Sequence, residues 1–261
     1  MIPRNSPASA LVQLDMKTAA LFVALTLAGL PSRAQSTADL QSLLAAVDAT
    51  RNAFDEAIIS ARATQVVDGK ETGSADFDVY VKGRDKGLIV FRGGKNSGRK
   101  VLTSGDRMWL LVPGSTNPVP ITPNQRLLGG ASFGDVARLR FSEDYTAKAT
   151  GETESAAGRS CRVLELAAKS ARVSYPRVLL SIDEEAKLPC RVRFFLSSGK
   201  EARAVTFTRF GQKAGKTVVS EMEIHEFLGA ASRAVTRLEY RDYRTARLDP
   251  KIFTPEGARG L

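Results

Sequence analysis

Apolar residues between positions 36 and 59 recur at the spacing of one helix face. They stand mostly three or four positions apart, at Leu40, Leu43, Leu44, Val47, Phe54 and Ile58. Ser36, Thr37 and Asp39 precede this run, and their side chains are of the kinds that cap helix N-termini. The pattern therefore predicts an amphipathic helix over 36–59 that packs its apolar stripe on the core.

From Ala61 onward the apolar period changes to two, the period of a half-buried strand. In Ala75–Lys82, for example, Phe77, Val79 and Val81 alternate with other residues. The predicted strands are Ala75–Lys82, Leu88–Phe91, Lys100–Thr103, Arg107–Val112, Tyr145–Gly151, Ser160–Ala167, Arg177–Asp183, Pro189–Leu196, Ala202–Phe210, Thr217–Phe227 and Ala234–Arg244. The connections between them are mostly short and polar, which indicates an antiparallel meander in one domain.

A sheet of about ten strands is too long to stay flat and tends to curl. The helix over 36–59 and an apolar non-strand segment over 121–141 then need a surface to cover. We therefore predict a mainly β protein of the α+β class. It is a single domain whose strongly curved antiparallel sheet has its concave side filled by the helix and the apolar segment.

The segment Gly105–Tyr145 departs from the strand pattern. It begins as a strand that carries the only tryptophan, Trp109. A central strand does not accept the prolines that follow, at Pro113, Pro118, Pro120 and Pro123. The order of these features predicts a strand followed by a covering segment.

Apolar residues later in this segment are unusual for a solvent loop. They are Leu127, Leu128 and Phe133, and Phe133 stands among Gly129, Gly130 and Gly134. Such a glycine-rich apolar run favours a flexible flap over a cavity. The alternative is that Trp109, Phe133 and the strand aromatics form a fixed core.

The N-terminus has the order of a secretory signal peptide. An uncharged apolar run, Thr18–Leu30, follows Met16, and a cleavage motif ends at Ala34. The run is shorter than the about 20 residues that a spanning helix needs, which disfavours the alternative of a membrane anchor. We expect translation to start at Met16, a signal peptide within 1–34, a mature domain over 35–261, and export to the periplasm of a Gram-negative bacterium.

The chain is basic, with 38 Lys and Arg against 28 Asp and Glu and a net charge of +10. Removal of residues 1–34 leaves 35 basic and 27 acidic residues, a net charge of +8. A basic surface suits anionic lipid headgroups or nucleic acid. Export excludes nucleic acid as the partner.

Residues with catalytic potential are few. The only histidine, His225, alternates with Met222 and Ile224 in a predicted strand, which favours a solvent-facing position. The carboxylates of Asp183–Glu185 fall in a predicted turn, and the basic loop Arg92–Lys100 leads into a strand rather than the helix of a phosphate site. One histidine and two distant cysteines make no metal-ligand cluster. We therefore predict a protein that is not an enzyme and holds no cofactor or metal.

The sequence leaves the pairing of Cys161 and Cys190 open. In an oxidising compartment, two cysteines are expected to pair. If the predicted strand Arg177–Asp183 lies between them, they stand roughly 10 Å apart, beyond the ~7 Å reach of a disulfide.

A series of motifs along the chain resembles the outer-membrane lipoprotein-sorting protein family, relatives of the periplasmic lipoprotein carrier LolA and its receptor LolB. The motifs are Lys100–Pro113 with GDRMW at 105–109, the flap Gly129–Asp135, Asp144–Tyr145, SIDEEAKLPCRV at 181–192 and IFTP at 252–255. The resemblance covers nearly the whole mature chain. The flap departs from the family, which more often has a second aromatic or acidic step after Phe133.

The resemblance implies an unclosed, half β-barrel whose concave apolar face is lidded by helices and takes up acyl chains. On this basis the expected cavity and lid residues are Phe77, Val79, Val81, Ile89, Phe91, Trp109, Leu111, Leu127, Leu128, Phe133, Phe194 and Phe207. Arg92 is the candidate for the lid-contacting arginine of the carrier proteins.

The resemblance further implies a monomeric periplasmic carrier of lipoprotein acyl chains or other lipids. Its partners would be an inner-membrane transporter and an outer-membrane acceptor. The alternative is an envelope accessory or sensor module of the same fold that acts with a transporter or signalling partner. A hydrolase based on His225 is disfavoured, because its strand position faces solvent.

Overall fold

One antiparallel sheet of thirteen strands and a separate two-stranded sheet dominate the described structure. The computed structural model describes residues 36–122, 125–128, 131–132, 140–171, 173–228 and 234–261. The strands are β1 (Glu56–Val67), β2 (Lys70–Lys82), β3 (Lys86–Phe91), β4 (Lys100–Ser104), β5 (Arg107–Leu111), β6 (Val119–Ile121), β7 (Arg126–Leu128), β8 (Ala131–Ser132), β9 (Tyr145–Ala156), β10 (Arg159–Ala168), β11 (Arg177–Asp183), β12 (Leu188–Phe195), β13 (Glu201–Lys213), β14 (Lys216–Glu226) and β15 (Ala234–Thr245). The helices are α1 (Thr37–Arg51), α2 (Phe141–Asp144) and α3 (Pro255–Arg259), with 3₁₀ turns at Gly94–Asn96 and Pro250–Phe253.

The chain enters the large sheet in its middle and leaves it there. Strands β1 to β6 follow one another to one edge, and β9 to β15 return from the other edge to the middle. There β15 pairs with β1, from Thr245 opposite Ala57 to Ala234 opposite Val67. The edge strands β6 and β9 do not pair with each other, so the sheet is unclosed. The predicted mainly β, unclosed antiparallel fold is confirmed.

Helix α1 is shorter than the sequence pattern predicts. Its N-terminus is a capping box, in which the Ser36 hydroxyl accepts from the Asp39 amide at 3.2 Å and the Asp39 carboxylate accepts from the Ser36 amide at 3.1 Å. The helix ends at Arg51, and the prediction of a helix to residue 59 is wrong because β1 begins at Glu56. Within the described residues, no helix is long and apolar enough to cross a membrane.

The apolar periodicity of the sequence did not predict strand β1, because the buried side chains of this strand are small. The buried positions are alanines, at Ala57, Ala61 and Ala63. Alanine gives only a weak period-two signal, and Ile58 happens to continue the helical spacing of α1.

The face of the large sheet that packs against α1 is called the inner face. Leu40, Leu44 and Val47 of α1 are buried there against side chains from both halves of the sheet. In β2 and β3 the inner positions include Val79 and its register partner Ile89. Burying large aliphatic side chains in this way contributes about 1.5–3 kcal/mol each, so the inner core is the main stabilising unit of the fold.

The opposite, outer face is covered at β2 to β5 by the C-terminal segment Leu248–Leu261, called the strap. Phe253 of the strap is buried against Leu88 and Leu102, which are register partners. Leu88 is next to the inner residue Ile89 in β3 and therefore points to the outer face. The Glu56 carboxylate accepts from the Leu248 amide at 3.0 Å. Both faces of this half of the sheet are therefore apolar and covered.

Both edges of the sheet carry features that prevent further strand pairing. Edge strand β6 contains Pro120 and follows Pro118, and proline offers no backbone donor. Edge strand β9 is interrupted by a bulge between the pairs Thr153–Arg162 and Ala149–Leu164. Bulges and prolines are recognised devices against edge-to-edge association.

Cys161 and Cys190 form a disulfide across β11, with their Cα atoms 6.5 Å apart. The separation of roughly 10 Å expected for a flat sheet, which argued against the bridge, does not apply here. Ser181 lies opposite Arg191, while the next residue, Ile182, lies opposite Pro189. Cys190 is thus the extra residue of a β-bulge, which bends the strand and brings the sulfur atoms together.

We expect the double variant Cys161→Ala/Cys190→Ala to lose about 2–4 kcal/mol of its free energy of unfolding, because the bridge closes a loop of 29 residues in the unfolded chain. Urea denaturation followed by circular dichroism measures the loss. As a control, a reducing agent should destabilise the wild type and leave the double variant unchanged. Equal midpoints for wild type and variant would contradict the expectation.

Candidate functional site

A cavity of about 480 Å³ lies between α1, the β2–β3 turn and α2. Pockets for small organic ligands have volumes of about 300–1,000 Å³, so this cavity has the size of a ligand site. One wall is formed by the apolar side chains of Ile59, Val79, Val81 and Ile89. Ala45 and Ala49 of α1 line the facing wall and are exposed.

The rim of the cavity is charged. Around it stand Asp55, Arg84, Asp85, Lys86, Asp106, Arg140 and Glu143. Arg84 Nη1 pairs with Glu143 at 2.7 Å, and Arg140 Nη1 pairs with the same carboxylate at 3.3 Å. The Arg84 side chain is 80% exposed, and such surface pairs contribute about 0–1 kcal/mol. The cavity therefore combines an apolar wall with a polar mouth whose contacts are easily exchanged.

Asp48 fastens α1 to α2 beside the cavity. Its carboxylate accepts hydrogen bonds from the Phe141 amide at 2.9 Å, the Ser142 amide at 2.8 Å and the Ser142 hydroxyl at 2.7 Å. The amides at a helix N-terminus have no partner within their own helix, and an aspartate is a suitable acceptor for them. Gln41 and Lys169 donate to the Ser142 carbonyl, the latter at 2.8 Å. The start of α2 is thus fixed to α1 from several sides.

Burial raises the pKa of the Asp48 carboxyl above its ordinary value. The hydrogen bonds from Ser142 and Phe141 and the positive charge of Arg51 act in the opposite direction. The raised pKa shows that desolvation outweighs these contacts.

Tyr243 closes the cavity on the side of β15. Its hydroxyl donates to the Val219 carbonyl at 2.6 Å, and burial raises the pKa of the phenol. The ring lies 6.1 Å from that of Phe54, which also lines the cavity. Tyr243 therefore presents a rigid aromatic surface, since its polar atom is bonded elsewhere.

The structure brings three of the predicted ligand residues together at the cavity, namely Val79, Val81 and Ile89. Val79 and Ile89 are themselves buried in the inner core, together with Phe77, Phe91, Phe194 and Phe207, whereas Leu127 is buried from the separate strand β7. Phe133 and the side chain of Leu128 lie outside the described residues. A ligand role for the inner-face residues stays a prediction.

Trp109 and Leu111 do not belong to the inner face, and the prediction that they line the apolar cavity is wrong. Successive side chains of a strand point to opposite faces. In β5, Met108 and Leu110 pack on the inner core, so Trp109 and Leu111 pack on the outer core with the strap.

Arg92, the candidate for a lid-contacting arginine, also lies on the outer face. Its Nε donates to Asp78 at 2.7 Å and its Nη2 to the Tyr80 hydroxyl at 2.8 Å. Tyr80 belongs to the outer core, so Arg92 lies on the side of the sheet opposite α1.

Sequence reasoning missed Asp48, Tyr243 and the small residues of α1. A signal for Asp48 was present, because it follows Leu44 by four positions and Val47 by one and so interrupts the apolar stripe of the helix. Among the described residues there is no group of three or more metal-ligating side chains. His225 is half-buried on β14, while its neighbours Met222 and Ile224 are buried in the inner core as predicted.

A comparison with protein-family models matches residues 83–257 to a family described as "Uncharacterized protein". The match spans more than half of the chain. The chain belongs to this family. A comparison with curated proteins finds no match.

Solved structures identify the fold of this family member as LolA-like. A LolA superfamily protein from Nitrosomonas europaea is 25% identical, with a TM-score of 0.72 over 82% of this chain and 96% of that chain. A DUF1329 family protein from Desulfovibrio piger is 19% identical, with a TM-score of 0.70 over 82% of this chain and 95% of that one. An outer membrane lipoprotein-sorting protein domain from Vibrio parahaemolyticus is 17% identical, with a TM-score of 0.71 over 86% of this chain and all of the domain.

We expect the free energy of unfolding of the wild type to fall relative to that of Asp48→Asn as the pH rises from about 3.8 through the raised pKa. Between these values the folded wild type binds more protons than the unfolded chain, so its stability decreases with pH, whereas asparagine does not titrate. Urea unfolding at a series of pH values gives the difference. A difference that grows in favour of the wild type with rising pH would contradict the assignment.

Proposed function

We propose that this protein is a non-enzymatic periplasmic carrier that takes up an acyl chain of a lipoprotein or another lipid in the cavity beside α1. The observation that carries the proposal is the apolar wall of Ile59, Val79, Val81 and Ile89 behind a charged mouth. An amphiphile fits such a site with its chain inside and its headgroup at the rim. The LolA-like fold and the signal-like N-terminus support the same function.

The cavity volume limits how much ligand the present conformation takes up. Burying a methylene contributes about 0.8 kcal/mol, so ten methylenes contribute about 8 kcal/mol before the cost of immobilising the ligand. Only the part that remains after this cost appears as binding free energy, so the dissociation constant is weaker than the about 1 μM to which 8 kcal/mol alone would correspond.

Further acyl chains would need the inner core to open. Leu127 of β7 and the apolar stripe of α1 cover the remaining inner face. The polar contacts that hold α2 beside α1 are those of Asp48 with Phe141 and Ser142 and that of Gln41 with Ser142, and opening would have to break them. Displacement of α1 would extend the cavity over Phe77, Phe91, Phe194 and Phe207, the residues expected to hold cargo. The carrier would act as a monomer between an inner-membrane transporter and an outer-membrane acceptor.

We expect Ala49→Trp to weaken uptake of cis-parinaric acid at least tenfold. Ala49 lines the cavity but is exposed, so a large side chain enters the cavity without disturbing the core. Titration of the fatty-acid fluorescence measures the affinity.

The matched control is Ser42→Trp, an exposed position of the same helix that does not line the cavity. It should bind the fatty acid like the wild type. Equal loss in both variants would place binding elsewhere. Absence of uptake by the wild type, together with absence of lipid in protein purified from the periplasm, would refute the proposed function.

A further inference from the structure

Asp48 is a buried titratable group beside the site where the acyl chain is expected to bind. It follows Val47 on the buried stripe of α1 and is 8% exposed. The same residue lines the cavity. Asp48 therefore stands at the boundary between the inner core and the space that an acyl chain would fill.

Three hydrogen bonds hold the Asp48 carboxylate in place. Oδ1 accepts from the Phe141 amide at 2.9 Å, and Oδ2 accepts from the amide and the hydroxyl of Ser142 at 2.8 Å and 2.7 Å. An ionised carboxylate offers about four acceptor positions. The described residues supply donors for three of them, which leaves about one position for water.

The elements packed around Asp48 carry charges of both signs. Burial has the largest effect on the Asp48 carboxyl and raises its pKa, while Arg51 has the strongest effect among the charged neighbours and lowers it. Arg84 and Arg140 both pair with Glu143, at 2.7 Å and 3.3 Å. The other charged or titratable residues of the surrounding elements are Asp144, Lys169, Asp85, Lys86, Lys216 and Tyr243.

An acyl chain in the cavity increases the desolvation of this carboxylate. Its methylenes replace water at the wall of the cavity and offer no hydrogen-bond donor. An apolar surrounding disfavours an ionised carboxylate far more than a neutral carboxyl. The filled cavity therefore favours the protonated form of Asp48 over the ionised form.

We propose that uptake of an acyl chain in this cavity is coupled to protonation of Asp48. The inference rests on the proposed function and adds the regulation of the same site by pH. Because the filled protein holds the proton more tightly, the protonated protein binds the chain more tightly by the same factor. Rising pH then favours release of the chain.

Protonation of Asp48 also affects the contact between α1 and α2. Hydrogen bonds to an ionised carboxylate are roughly twice as strong as those between neutral groups. A neutral Asp48 therefore holds the amides of Phe141 and Ser142 less firmly than the carboxylate does. The coupling thus connects the filling of the cavity with the fastening of α1, the helix that would have to move to admit further chains.

Calorimetry with the methyl ester of cis-parinaric acid tests the coupling, because this ligand has an acyl chain and no titratable group. Titrations in two buffers with different heats of ionisation give the number of protons taken up on binding. We expect the wild type to take up part of one proton at pH values between the pKa of Asp48 in the empty protein and its higher pKa in the filled protein. Across that range its affinity for the ester should fall about tenfold as the pH rises, which corresponds to a further shift of about one pKa unit.

Asp48→Asn should bind the ester without proton uptake, and its affinity should change less than about twofold over the same range. The matched control is Asp85→Asn, which removes an exposed carboxylate at the rim of the same cavity and should take up protons like the wild type. Urea unfolding checks that both variants fold. An NMR titration of the Asp48 carboxyl carbon in the wild type, with and without the ester, measures the same shift without a substitution.

The outcomes separate this inference from the proposed function. Binding of the ester by the wild type without proton uptake would overturn the inference and leave the proposed carrier function intact. Equal proton uptake by the wild type and Asp48→Asn would overturn it as well, because another group would then titrate. Absence of ester binding at every pH would refute the proposed function and this inference together.

Discussion

The pairing of β1 with β15 is the contact on which the rest of the structure depends. It joins two meanders, one from each half of the chain, and its register changes only at a bulge between Ser60 and Ala61. The inner core then draws side chains from both halves and places them under α1. Because the partners lie near opposite ends of the sequence, this contact carries a high loop-closure cost. Every other strand pair of this sheet joins strands that are consecutive in the sequence, so the β1–β15 pair is its one long-range pairing.

Asp48 illustrates how a carboxylate is retained in an apolar interface. Its desolvation raises its pKa, yet its oxygens satisfy amides at the start of α2 that would otherwise be buried without partners. The same residue lines the cavity. The position of α1, and with it the depth of the cavity, therefore depends on this carboxylate as well as on the apolar contacts of Leu40, Leu44 and Val47.

Much of the fold follows from the period of the sequence, and much of the site does not. The strands around Phe77 and Phe207 alternate clearly, so the long curled sheet was predictable. The faces of β5 were not, because both sides of this half are apolar and the run Leu88–Phe91 is buried throughout. The alanines of β1 gave too little contrast, and no pattern marks a bulge such as the one at Cys190. The cavity forms where α1, the β2–β3 turn and α2 meet. Tertiary packing brings these elements together, and the periodicity of the sequence does not reveal it.

The sheet remains unclosed, because its edge strands β6 and β9 do not pair with each other. A closed barrel removes its edges but fixes the width of its interior. Here Pro120 and the bulge in β9 make each end of the sheet a poor template for another strand. No ladder between the two edges fixes their separation in the described structure. The side chains packed between the sheet and α1 therefore take over from strand pairing in setting the width of the interior.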